Sequence, residues 1–160
     1  MEKINALNQV AEFHTTFKAP IVHYPEIPPA ARAQLRYDLL AEELKEFLEA
    51  IAMNDLVGVA DALCDLQYVL AGAVLEFGLG HKFVSLFDEV HRSNMSKACR
   101  NEEEARATVA YYQERHGIEA FYEAEPNGTY LVFRAGDRKT LKSINYSPAD
   151  LKRILEQQDL

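Results

Sequence analysis

Cysteine, clustered positive charge and long apolar runs are all scarce in this 160-residue chain. The two cysteines, Cys64 and Cys99, form no C-x-x-C pair and give no sign of a disulfide framework or a zinc site. A reduced compartment is the simplest setting, and the expected location is cytoplasmic. The longest apolar stretch, Leu66 to Leu79, is interrupted by Gln67, Gly72, Glu76 and Gly78. It reads as too short and too polar to span a bilayer, so no membrane partner is expected. The opening MEKINALNQVAEF has no signal-peptide core. Lys and Arg number 17 against 25 Asp and Glu, a formal net charge of -8. That balance argues against a nucleic-acid partner, whose phosphates need clustered cations. A small anionic substrate stays open, because a local basic pocket or a bound metal overrides net charge.

What is present is apolar periodicity. Hydrophobic residues make up 48% of the chain, enough for a core. Ile4 to Phe17 has helical spacing. Pro20, Pro25, Pro28 and Pro29 then impose an extended loop. A second helix is expected from Ala30 to about Asn54, with Leu35, Leu39, Leu40, Leu44, Phe47, Leu48 and Ile51 as its stripe. Asp55 suits the cap of a third helix, Leu56 to Phe77, which is apolar over most of its circumference and reads as central and buried. A fourth starts near His81 and loosens around Asn94 to Ala98. A fifth runs from the Asn101 cap to His116-Gly117. The period then changes to strands at 118–124 and 129–135 around the turn Glu125-Pro-Asn-Gly128. Pro148, with Ser147 as cap, opens a short last helix. The expectation is one mainly α domain over 1–160. Its parts are a helical core to about 98, a helix plus β-hairpin insertion over about 101–140, and a closing segment over 141–160.

The run LAEELKEFL carries Glu42, Glu43 and Glu46 at i,i+3 and i,i+4 spacing. Alone it reads as a solvated face, partly offset by Lys45. Asp61 and Asp65 are different. They are i,i+4 on an apolar helix, where carboxylates are expensive without a cation and Asp has poor helix propensity. Folding back at Asn54-Asp55 sets residue 46 level with about 62, and Glu43 near 65. The two acidic groups then face each other. An all-oxygen set without Cys or His points to Mg²⁺ or Mn²⁺.

E-E-x-x-E followed by the acidic pair of A-D-A-L-C-D-L resembles the MazG-like, all-α NTP pyrophosphohydrolases. Within them the phosphoribosyl-ATP diphosphatase-like subgroup is the most similar. Glu89-Val-His-Arg-Ser-Asn-Met-Ser-Lys97 and Leu141-Lys-Ser-Ile-Asn-Tyr-Ser-Pro-Ala-Asp150 resemble two further segments of that subgroup. The likeness covers roughly 8–98 and 141–152. It implies an all-α helical bundle that commonly forms a homodimer or homotetramer. It also implies Mg²⁺-dependent cleavage of a nucleoside triphosphate between the α and β phosphates. By position, Glu43 and Glu46 match metal-binding glutamates, and Glu42 matches a residue that orients or activates water. The family's second motif is usually E-x-x-D. Here Gly58 and Ala62 stand three before Asp61 and Asp65, which are taken as the replacement pair.

Phosphate-binding candidates are Arg92, Lys97 and Lys142. Asn94 shares a helix face with Lys97, and Tyr146 follows Lys142 in the closing motif. Arg36 and Asp38 are candidates for the pocket rim. For the base, His14, Phe13 and Phe17 precede the proline loop. The two phenylalanines read first as core and His14 as an edge or surface residue, whereas His91 and His116 read as structural or solvated. The expected activity is hydrolysis of an NTP or dNTP to monophosphate and pyrophosphate. The alternatives are phosphoribosyl-ATP as substrate, or a non-catalytic helical nucleotide-binding oligomer that keeps its carboxylates for folding.

Overall fold

The computed structural model describes residues 5–157, so the expected helix start at Ile4 lies outside them. The chain divides into two compact units, one up to Phe83 and one from Val84.

The first unit holds α1 (Ala6–Phe17), α2 (Ala30–Ala52) and α3 (Leu56–Glu76). α1 ends at Lys18, which takes a left-handed conformation, and its N–H returns to the His14 carbonyl. The proline segment then runs beside the end of α3, with Val22 N–H donating to Leu75 O (3.0 Å) and Glu26 N–H to Phe77 O (3.1 Å). Gly78 makes this approach possible. It has φ +68°, and a Cβ there would fall 1.9 Å from the Tyr24 carbonyl oxygen. α2 begins directly after Pro29, which has no N–H to leave unsatisfied. Asn54, left-handed at φ +54°, turns the corner, and Asp55 caps α3 by accepting from Val57 N–H at 3.0 Å. α3 packs on both α1 and α2. Val10, Ala71 and Leu75 form the buried cluster between α1 and α3.

α3 corrects two expectations. Its burial is confined mainly to one end, at Ala71, Gly72, Val74, Leu75 and Glu76, with Ala62 farther back. Leu56 and Val57 are 79% and 80% exposed. A continuous apolar pattern shows that a helix wants cover; it does not show that its own chain supplies it. By length and composition α3 is also long and apolar enough to cross a membrane, which the reading of Leu66 to Leu79 missed. Core helices meet the same criterion, and Asp61 and Asp65 stand in its exposed half.

A buried ionic node ties α2 to α3. Glu76, 1% exposed, accepts from Arg32 Nε at 3.0 Å and also from the Nη2 groups of Arg32 and Arg36. Burial alone would push the Glu76 carboxyl up, but the two guanidiniums outweigh it and hold it low. Arg36 is itself 8% exposed, and its Nε has no partner among the described residues. Gly72 leaves the space: a Cβ there would lie 2.6 Å from Arg36 Nη1 and 3.2 Å from His14 Nε2. His14, expected at the edge, is 2% exposed; its Nδ1–H donates to Pro20 O at 2.8 Å, closing the loop after α1.

The second unit carries most of α4 (Phe83–Met95), then α5 (Glu102–His116), β1 (Ala120–Ala124), β2 (Tyr130–Arg134) and α6 (Leu151–Glu156). The two strands pair antiparallel, with Phe121 opposite Phe133 and Tyr122 opposite Val132. Gly128, at φ +84°, donates to Glu125 O (3.0 Å) in the expected turn. Cys99, Ala105, Val132 and Leu141 are the core, so the hairpin, α5 and the closing segment share one apolar centre. α5 starts with a reciprocal cap: Glu104 N–H donates to Asn101 Oδ1 (2.8 Å), and the Glu104 carboxylate accepts from Arg100 N–H (3.1 Å). The same buried carboxylate accepts from the Ser143 hydroxyl, fastening the closing segment to α5. The last helix departs from expectation. Asp150, not Ser147, is its cap, accepting from Arg153 N–H at 3.1 Å. Ser147 is engaged instead with Ser96 and Arg92.

Candidate active site

Glu42, Glu43 and Glu46 sit in the middle of α2, and Asp61 and Asp65 in the first half of α3. The short corner sets these stretches side by side. Glu43 is partly buried, and the other four are exposed. Burial, followed by the charges of Asp65, Glu46, Glu42 and Asp61 in that order, holds the Glu43 carboxyl above its ordinary range. The expected pairing of Glu43 with residue 65 is thus present, and carboxylates from two helices act on one another. Lys45 does not offset them. It pairs with Glu49 at 3.5 Å. Among the described residues no ion pair engages any of the five carboxylates. Nor do three acidic, His or Cys side chains converge tightly enough to form a ready metal cage. The group is a loose cluster of like charges.

The donor set fits a hard divalent cation. It is all oxygen, it is uncompensated by Lys or Arg, and it bears a carboxyl whose ionisation is opposed by its neighbours. The absent E-x-x-D glutamate also has a physical account. A Cβ on Gly58 would lie 2.9 Å from Asp55 Oδ2 and 3.2 Å from Ala50 Cβ, and Ala62 is 3% exposed. The corner crowds the first position and the second is buried, so a glutamate at either would have to displace its neighbours. Asp61 and Asp65 are the α3 acids that reach the cluster.

Other expected residues of the first unit fall elsewhere. Arg36, proposed for the rim, is spent on Glu76. Asp38 is exposed and accepts from Gln34 Nε2 at 2.7 Å. Phe13 and Phe17, expected in the core, are 41% and 67% exposed, with ring centroids 4.4 Å apart. Tyr68 meets Phe13 edge-on at 5.6 Å.

The second unit gathers Arg92, Asn94, Lys97, Lys142 and Tyr146. Lys97, in the turn just past the end of α4, donates through Nζ to Asn94 Oδ1 at 2.7 Å. Lys142 Nζ stands 4.3 Å from the centre of the Tyr146 ring. The Tyr146 hydroxyl and Ser93 Oγ are 2.9 Å apart. That hydrogen bond, with the charges of Lys142, Lys97 and Arg92 behind it, draws the phenol below its usual range. Arg92 is committed to the fold: it pairs with Glu89 through Nε and Nη2 (2.7 and 2.8 Å) and reaches Ser147 Oγ and Pro148 O (each 3.0 Å). Ser93 lies inside the motif that supplies Asn94 and Lys97, yet its residue type alone does not single it out. Its signal was its position one residue before Asn94, on the side that faces Tyr146. His91 and His116 are exposed, as expected.

The family model for phosphoribosyl-ATP pyrophosphohydrolase matches residues 10–94. That span is more than half of the chain and contains every one of the clustered carboxylates. The chain is also 26% identical to an uncharacterised protein, L479, of Acanthamoeba polyphaga mimivirus, over 97% of each sequence. Helical architecture, facing acidic motifs and the family match agree: this chain belongs to the phosphoribosyl-ATP pyrophosphohydrolase family, within the MazG-like all-α NTP pyrophosphatase superfamily.

Proposed function

We propose that the protein hydrolyses a nucleoside or deoxynucleoside triphosphate to its monophosphate and pyrophosphate, with Mg²⁺ as cofactor and Mn²⁺ as a substitute. The observation that carries this reading is the set of acidic charges from α2 and α3 acting on Glu43, inside the segment that matches a pyrophosphohydrolase family. Glu43, Glu46, Asp61 and Asp65 would hold the cation. When bound, it neutralises phosphate charge and acidifies a coordinated water. Glu42 orients the attacking water and takes its proton. Lys97 and Lys142, in the second unit, carry charge of the sign a phosphate requires, and phosphoryl chemistry asks a protein mainly for positioning and neutralisation. A pyrophosphate-release screen over NTPs and dNTPs with Mg²⁺ tests the reading. Turnover of at least one, abolished in Glu46→Gln with the fold retained, is expected. No turnover of any would overturn it.

The description of the matching family favours a second reading, phosphoribosyl-ATP as substrate. The bond broken is the same, and this compound belongs in the same screen.

We also propose a homodimer or homotetramer. Leu44, Leu48 and Ile51 of α2 are 58%, 65% and 50% exposed, beside the uncovered Leu56, Val57 and Leu63. Apolar surface of this extent marks an interface. Sedimentation at micromolar concentration should give a dimer or tetramer, and Leu48→Lys should shift it toward monomer. A monomer throughout would remove this part of the account.

A further inference from the structure

A groove of about 420 Å³ lies between α1 and α3, apart from the five clustered carboxylates. Its walls are Gln9 and Val10 from α1, and Leu63, Cys64, Gln67 and Tyr68 from α3. We propose that this groove seats the heteroaromatic base of the substrate, with the Gln9 and Gln67 carboxamides reading its edge. The inference rests on the nucleotide hydrolase reading and names the part of the substrate this unit recognises.

Four observations converge on it. The volume falls in the range that small-molecule sites occupy, about 300–1,000 Å³. The lining is an apolar body flanked by two carboxamides, one from each helix. A carboxamide carries both donors and an acceptor, which is what the edge of a base demands. Among the described residues neither side-chain amide has a hydrogen-bond partner, so both remain available. Tyr68 adds a ring to the wall and is braced edge-on by Phe13, itself packed on Phe17. Aromatic faces of this kind stack bases at roughly 1–3 kcal/mol each.

Position along α3 supplies the fourth. Cys64 is three residues after Asp61, and Tyr68 three after Asp65. At 1.5 Å rise per residue, the wall of the groove lies about 4.5 Å along the helix from each aspartate. A base in the groove is thus within a nucleotide's reach of the carboxylates of α3. On α1, Gln9 and Phe13 are i,i+4 and share one face.

Cys64 is a built-in reporter. It is exposed in the wall, whereas the other cysteine, Cys99, is fully buried. The test is the rate of Cys64 alkylation by a fluorescent maleimide in EDTA, which needs neither metal nor turnover. AMP, GMP, CMP and UMP are added one at a time, with ribose 5-phosphate as the baseless control. At ten times its dissociation constant a base-bearing ligand should slow labelling about tenfold, and ribose 5-phosphate should not. Leu63→Trp, which fills the groove from a half-exposed position, should abolish the ligand effect while the melting curve stays cooperative. Gln67→Leu should alter which monophosphate protects best. Equal protection by ribose 5-phosphate, or none by any monophosphate, overturns the proposal. So does labelling that slows with protein concentration alone and ignores nucleotides, since the groove is then a contact between copies. Protection without pyrophosphate release in the separate screen would keep the base seat and remove the hydrolase. Release without protection would do the reverse.

Discussion

Glu43→Gln should stabilise the metal-free protein and abolish its activity. Glu43 is partly buried, and its acidic neighbours are Asp65, Glu46, Glu42 and Asp61. A like charge one helical turn away costs a few tenths of a kcal/mol, and the carboxylates of the facing helix add to it. Together they place about 1 kcal/mol on the ionised Glu43, screened by salt. Glutamine has the same shape without the charge, and no hydrogen bond to Glu43 is lost among the described residues. For a chain of this size, about 1 kcal/mol is about 2–4 °C in Tm. The sign with pH follows from the raised carboxyl. Below the unfolded carboxylate range both states are protonated, and the variant has no advantage. As pH rises through that range and then through the higher folded value, the wild type acquires the penalty, and the gap opens to a plateau. Thermal melts in EDTA from acidic to neutral pH measure it. With Mg²⁺ the order should invert, because the wild type gains a ligand that the variant holds poorly. A variant less stable than wild type in EDTA at neutral pH, or a gap that does not depend on pH, would refute the reasoning.

Other outcomes follow from particular contacts. Gly72→Ala puts a methyl 2.6 Å from Arg36 Nη1 and should break the buried Arg36–Glu76 pair. A loss of about 3 kcal/mol, on the order of 10 °C in Tm, is expected from melting curves, and an unchanged Tm would contradict the packing described. Glu89, held by Arg92 and the Asp150 N–H, should titrate near 2 by NMR of its side chain, and its contribution should be lost as pH falls toward that value; an ordinary glutamate midpoint would show the tie to be absent. Lys97→Ala should weaken substrate binding and make it less sensitive to salt than in the wild type, read as a rise in KM with the melting curve unchanged. An unchanged KM would remove Lys97 from phosphate recognition.

Much of this was legible in the sequence because periodicity, caps and turns are local. Asn101 and Asp55 cap where their side chains reach the next turn, and Glu125-Pro-Asn-Gly128 turns where glycine accepts positive φ. The matching height of Glu43 and Asp65 was legible too, since a short corner fixes the register of a helix pair. What escaped depended on distant partners. Glu76 read as an interruption in an apolar run, yet it is the anchor for Arg32 and Arg36, residues forty or more positions away in sequence. His14 reads as an edge residue because no local pattern announces the Pro20 carbonyl that accepts its N–H hydrogen bond or the gap at Gly72 that admits its ring. Phe13 and Phe17 followed the apolar stripe of α1 but face outward, since amphipathic spacing shows which residues share a face and not what covers it. The closing helix starts at Asp150 because Ser147 is already bound to Ser96 and Arg92.

The most direct test of the central claim is electron paramagnetic resonance of Mn²⁺ titrated into the protein. Free Mn²⁺ gives a sharp signal that is lost on binding to protein oxygens. The account predicts saturable loss of that signal in the wild type, competed by Mg²⁺, and strongly weakened in Glu46→Gln and in Asp65→Asn. One variant lies on α2 and the other on α3, so the two helices are tested separately. A signal unchanged by the wild-type protein, or a loss in either variant equal to that in the wild type, would contradict a cation held jointly by these helices.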